Sequence, residues 1–429
     1  MRKREKETVM LKVRLNGKRK YLLYMVMSIT VLILAGCSDK APDGKAPEAP
    51  DVEIIPPNDE AYISDKNDCA YAEEIAEILS DIYTEAAGTN TLGSLDTMRR
   101  MVVRLGENGY AAIDSGNQVD MTGAEQVLAF CGAVKQKKNA EMTIIVITEL
   151  GFREFDLKTE NGKVNVVRGY YQYDRNGHLE NRNTVSYPAD LWQYTEEGYL
   201  IFEGNYFSDE NYVLTLSDES EHTALRIQPL DEKCRELNRK YILSAGYRQN
   251  NIFLTDWNEE DWGGLDFYDI FDHFYPALYK QPSPYTVNDN LGMESVYEIP
   301  ETVFEKVIMT HFNIDRETLR SKTAYLSENA AYEYRPRGFY EAEYPDIPYP
   351  EVVSYAENPD GTITLIINAI YSNENTSKAF SHKTVIRPLN DGGFQYVSNQ
   401  MILPEEGYDA WWHSDRLTEE EREKLQENK

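Results

Sequence analysis

Five short segments in the first half of the chain recur, in the same order, roughly 165 residues later. Arg168-Gly169-Tyr170-Tyr171 answers to Arg337-Gly338-Phe339-Tyr340, and Tyr187-Pro188 to Tyr349-Pro350. The turn ending at Gly198 answers to the one ending at Gly361. Phe207-Ser208-Asp209-Glu210-Asn211 then matches Tyr371-Ser372-Asn373-Glu374-Asn375, and Ile227-Gln228-Pro229-Leu230 matches Ile386-Arg387-Pro388-Leu389. A single tetrapeptide match would be noise, whereas five in register point to a duplication. Two copies make a tandem pair, short of the three or more units that a solenoid needs. A body of 429 residues also leaves room for about two domains.

The pattern inside each copy predicts α+β structure. In copy one, Tyr71, Ile75, Ile78, Leu79 and Ile82 share a face of a helix over about 68–87. Ser94 is the N-cap of a second helix over about 94–105 that Gly106 stops, and Thr122-x-x-Glu125 is a capping box that starts a third, running to about 138. Strands follow over 141–149, 152–158, 163–173, 198–206 and 211–217, with Asn161-Gly162 and Asn176-Gly177 at tight turns. Copy two predicts helices near 231–246, 265–279 and 300–312, extended stretches near 284–288 and 293–299, and a helical turn near 315–321. Its strands fall near 351–357, 361–371, 379–388 and 394–401. About three helices and then an antiparallel meander in each copy is similar to the order in NTF2-like folds, with a cystatin-like arrangement the alternative. The NTF2-like resemblance implies a curved sheet wrapped around a long helix, with a conical pocket.

The N-terminus reads as an address. Nine basic groups and two acidic ones fill the first twenty residues, and the uncharged run from Tyr21 to Gly36 stops at Cys37. Sixteen helical residues reach about 24 Å, short of the roughly 30 Å hydrocarbon core. Leu34-Ala35-Gly36-Cys37 resembles the lipobox of bacterial lipoproteins. That resemblance implies cleavage before Cys37, a diacylglyceryl group on its thiol, and attachment to the outer face of the cell membrane. Two acyl chains are what stable anchoring takes. The whole chain resembles surface lipoproteins of Gram-positive bacteria, a likeness that implies no particular activity. The expected layout is a signal peptide at 1–36, a Pro-rich tether at 37–59, copies at 60–230 and 231–414, and a charged tail at 415–429. Removing a leader of net charge +7 from a chain of −29 leaves about −36, which repels a phosphate backbone and excludes nucleic acid as a partner.

Catalytic signatures are sparse. G-x-S-x-G, H-E-x-x-H, C-x-x-C and G-x-G-x-x-G do not occur, and Gly88 and Gly93 have P-loop spacing with Ser94 where Lys is required. No cofactor or metal is expected. Asp266, Asp269 and His273 share a face of one predicted helix and are the one set with metal-ligand chemistry, although such a set is more often a solvated face. Trp257 and Trp262 enclose the acids Glu259, Glu260 and Asp261, a composition suited to sugar stacking and carboxylate-assisted hydrolysis but equally to core packing. Thirty-one tyrosines suit half-buried strands. In a pocket, one phenol and one carboxylate would instead match the isomerases of the NTF2-like group, though the sequence singles out no such pair. Cys69, Cys131 and Cys234 remain after lipidation, and an odd count predicts packed thiols with no disulfide. These features read together as a non-catalytic protein of the cell envelope that binds a glycan or protein ligand. A glycan-acting hydrolase near Trp257 and Trp262 is the alternative.

Overall fold

The computed structural model describes residues 71–174, 177–206, 220–286, 295–337 and 346–416. The leader, Cys37, the tether, Cys69 and residues 417–429 of the tail lie outside that set, as do 207–219. The secondary structure is α+β, with helices preceding antiparallel meanders in both halves.

In the first half, α1 (Ala72–Thr89) and α2 (Leu95–Glu107) precede β1 (Ala111–Asp114) and α3 (Ala124–Lys135). Ile75, Leu79, Ile82 and Ala86 recur every three or four residues, giving α1 one buried stripe. Ser94 caps α2, its side chain accepting the Thr97 N–H at 3.2 Å. The expected capping box at Thr122 does not form. Gly123 takes a left-handed conformation (φ 66°), α3 begins at Ala124, and the Thr122 hydroxyl turns to the backbone carbonyls of Val102 and Ala112. Four long strands then run as a meander, β2 (Ala140–Thr148), β3 (Gly151–Glu160), β4 (Lys163–Tyr173) and β5 (Leu179–Pro188). Asn161 and Gly162, both at positive φ, make the tight turn between β3 and β4.

The five-stranded sheet has the order β1-β2-β3-β4-β5, and β1 pairs parallel to β2, Ala111 opposite Ile144. The reason is the crossover through α3, which returns the chain to the same end of the sheet. A pure meander of the NTF2-like kind has no such pair. Both faces of the sheet are covered. Ile145, Ile147, Phe152 and Tyr171 pack under α1 and α2. Ile144, Val146, Phe155 and Leu157 pack with Val127 and Phe130 of α3 and with a second sheet, β6 (Leu191–Tyr194), β7 (Tyr199–Asn205) and β8 (Ser220–Arg226). Gly204 lets β7 approach this far: a Cβ there would collide with the Tyr187 ring and the Pro188 carbonyl. Gly204→Ala should therefore lower the urea midpoint by an amount equivalent to about 1–3 kcal/mol, with an unchanged m-value.

The second half holds α4 (Glu232–Leu237), which continues as a wider turn over Asn238–Ile242, then β9 (Trp257–Asn258), α5 (Phe267–Tyr279), β10 (Tyr297–Pro300), α6 (Glu301–His311) and α7 (Arg316–Ser321). The short strands β11 (Tyr325–Leu326) and β12 (Ala331–Tyr334) join β10 in one small sheet. The meander of β13 (Tyr349–Glu357), β14 (Ile363–Ile370), β15 (Ser381–Pro388) and β16 (Phe394–Ile402) is edged by β9. The downstream repeats correspond in place. The turns at Gly198 and Gly361 each join the first two strands of a three-strand run, β6-β7-β8 and β13-β14-β15. The upstream ones have diverged: Arg168 lies in β4, whereas Arg337 follows β12 outside any strand.

The halves belong to one compact unit. Tyr199 and Ile201 of β7 pack on Ile370 of β14. Beside them the Tyr199 hydroxyl donates to one oxygen of Glu351 (2.8 Å) and the Arg226 guanidinium to the other (2.7 Å). Asn117 donates to the Tyr349 hydroxyl at 3.0 Å and accepts from the Arg226 backbone N–H at 2.9 Å. Burial raises the Glu351 carboxyl above its ordinary range, and Arg226 opposes the shift.

Candidate functional site

β2 is nine residues long and β1 only four, so β1 covers Ile144–Ile147 and leaves the lane beside Ala140–Thr143 open. Among the described residues nothing pairs along that lane, because the segment before β1 is still leaving α2. Tyr110 donates its N–H back to Leu105, and Gly109 sits at φ 89°, bending the backbone aside before β1 begins. The gap opens as a groove of about 930 Å³.

Strand alternation gives the groove two unlike sides. On the α3 side it is lined by Ala129, Phe130, Ala140, Met142 and Leu157. On the other side lie Glu141, Thr143, Asp156, Lys158 and Asn165, with the rings of Tyr71 and Tyr110 at the rim. Those two rings meet edge to face at 5.9 Å, and the Tyr110 hydroxyl donates to Glu74 at 2.9 Å. The Thr143 hydroxyl donates to Asp156, and Lys158 is paired with Glu141 and Glu160.

Behind Tyr71 and Asp156 lies Glu154, fully buried, which accepts the Tyr71 backbone N–H at 3.0 Å. Burial, with the Asp156 charge adding to it, pushes its carboxyl up to about 8. Burial thus favours the protonated form of this carboxyl, which lies behind the groove wall and not among its lining residues. Sequence reasoning places β3 correctly but passes over Glu154. The available signal was an acid two residues from Phe152 on a strand, hence on the same face.

The residues singled out from sequence fall elsewhere. Trp257 and Trp262 are both 3% exposed and stack on each other at 5.6 Å beside Phe312. The Trp257 indole donates to the Ile252 carbonyl at 2.8 Å. Buried rings cannot stack on a sugar, so this segment is core and the hydrolase site expected there does not form. Its acids serve the surroundings: Glu259 forms a two-point ion pair with Arg387, and Asp256 accepts the Met401 N–H.

Asp266, Asp269 and His273 share α5 or its cap but have separate partners. Asp269 is buried between Arg337 and Arg416, and Arg416 also reaches Asp272 at 2.8 Å. Asp266 caps α5 through the N–H groups of Tyr268 and Asp269, and burial pushes its carboxyl up to about 6. His273 meets the Ser244 carbonyl at 2.7 Å, and burial lowers its pKa. Among the described residues no three His, Cys, Asp or Glu side chains converge as a metal site. The expected helical face is thus an ion-pair network instead of a ligand set.

The tyrosines show a common use. Tyr199, Tyr325, Tyr332 and Tyr334 donate their hydroxyls to Glu351, Glu301, Glu305 and Asp272. In so acidic a chain a phenol is a neutral donor that buries apolar area and satisfies a carboxylate together. None of these pairs lines the groove. A second concavity of about 410 Å³ includes Arg168, Glu221 and His222, and its Arg168 is bound by Glu221 through both Nε and Nη2. Cys131 is half-buried with its thiol raised to about 11, Cys234 is buried, and both are thiols.

Fold and site define an α+β protein with an open groove at an interrupted sheet edge. The chain belongs to DUF6070, a family of unknown function whose match runs over residues 65–416 and so takes in both halves. No curated protein and no solved structure matches the chain. Among the described residues no helix is long and apolar enough to cross a membrane.

Proposed function

We propose that this protein is an extracytoplasmic lipoprotein, held at the outer face of the cell membrane by lipid on Cys37, which binds an envelope ligand in the groove beside Ala140–Thr143. The groove is the observation that carries the binding role. It has the volume and the mixed apolar and polar lining of a ligand site. The anchor rests on the basic leader, the short apolar run and Leu34-Ala35-Gly36-Cys37. The order of helices before a meander supports the NTF2-like likeness better in the second half, where the strands from β13 to β16 pair antiparallel throughout.

Cys37→Ala should move the protein from the membrane to the medium or leave a larger, unprocessed precursor. A mature-sized, membrane-bound Cys37→Ala protein would contradict the anchor. For the groove, Ala129 is solvent-exposed on α3 and tolerates a long side chain. Ala129→Arg should abolish retention of solubilised peptidoglycan fragments or of peptides by the full-length protein while leaving its circular dichroism unchanged. Equal retention by both proteins would place the ligand elsewhere.

A further inference from the structure

We propose that the groove takes an extended, cationic peptide segment as an added strand in the lane of β1; this rests on the groove being the ligand site. Ala140–Thr143 are paired to β3 on one side only, and among the described residues no backbone group pairs with them on the other. A sheet edge inside a concavity offers main-chain hydrogen bonds in a row, the mode by which strands are added to sheets. Four residues of open edge correspond to about 13 Å at roughly 3.3 Å per residue. That suits a short segment lying in line with β1.

The two sides of the groove state the side-chain pattern. Successive side chains of an added strand point to opposite faces. One set would meet Ala129, Phe130 and Met142, which select apolar residues. The other would meet Glu141, Asp156 and the rings of Tyr71 and Tyr110. Among the described lining residues the basic group on that side is Lys158, which Glu141 and Glu160 already bind, so carboxylates outnumber it there. Lys or Arg fits, through carboxylates and through the faces of the tyrosine rings. Charge complementarity to this side points to a separate basic peptide with alternating apolar and cationic residues as the occupant.

The test uses the full-length protein in detergent and a fluorescent decapeptide of alternating Leu and Lys. Controls are an alternating Leu–Glu peptide, and the Leu–Lys peptide N-methylated at every second backbone nitrogen, in two phases. N-methylation keeps every charge, so it separates strand addition from attraction to a chain of −29. The proposal expects anisotropy binding by Leu–Lys and at least tenfold weaker binding in one N-methylated phase. It also expects at least tenfold weaker binding to the Glu141→Gln/Asp156→Asn protein and slowed amide exchange within 140–143. Equal binding by both N-methylated phases and the parent, or no protection at 140–143, overturns it. If no peptide binds but peptidoglycan fragments do, and Ala129→Arg prevents it, the groove remains a binding site and the peptide inference falls. If neither class binds, both fall.

Discussion

Asp269→Asn should destabilise the protein by about 3–5 kcal/mol, the largest loss expected from a single isosteric change. Asp269 is 1% exposed, and Arg337 grips both its oxygens while Arg416 shares one. An amide offers one acceptor and no charge, which would leave two buried guanidinium groups facing each other. Arg337 also donates to the Ser414 carbonyl and Arg416 stacks over Tyr334, so the loss should loosen the last described segment first. Urea unfolding followed by far-UV circular dichroism would measure it. If Asp269 instead served a metal, chelator would lower the melting temperature of the unchanged protein. The geometry expects no effect of chelator, and a stability loss confined to the variant.

Glu154→Gln should act in the opposite direction and only at high pH. The carboxyl is held near 8 in the folded protein against 4.5 for the free group. A raised folded pKa means that the stability it contributes is complete below 4.5 and is lost as pH rises through 8. Glutamine mimics the protonated form and loses nothing. The variant should match the parent near pH 4 and exceed it by about 2–3 kcal/mol at pH 9, less than the full shift because the groove admits water beside the site. A constant difference across that range would show that the carboxyl is not the titrating group. Asp266, raised to about 6, adds loss of the same sign in the parent from about pH 4 upward. The half-buried His311 and the buried His382, lowered to about 4 and about 3, act oppositely. Their contribution is complete above about 6.5 and disappears as pH falls through 4 and 3. The parent should thus lose stability toward both ends of the scale, and only the basic limb should respond to Glu154→Gln.

Much of the architecture was legible in local patterns. Helical periodicity locates α1, α2 and α6, because each buries one stripe. Dipeptides such as Asn161-Gly162 mark hairpins through a backbone requirement that needs no tertiary context. Strands escaped where that signal was weak. β5 has one buried residue in ten, and its exposed edge resembles a loop in composition. β12 was passed over among polar neighbours, although its Tyr332 and Tyr334 are buried.

The sequence by itself determined the class: α+β, in an acidic body without a familiar catalytic motif. These are properties of composition, period and short-range spacing. Tertiary structure alone decided which carboxylates are ordinary and which are not. Glu154, Asp266 and Asp269 are indistinguishable in the sequence from the other acids. In the fold one is desolvated under Tyr71, one is desolvated at a helix cap, and one is clasped by two arginines 68 and 147 residues away. It likewise decided where the groove lies, since that depends on β1 starting only opposite Ile144, four residues into β2. Desolvation and strand register arise from segments distant in the chain, so no local pattern encodes them.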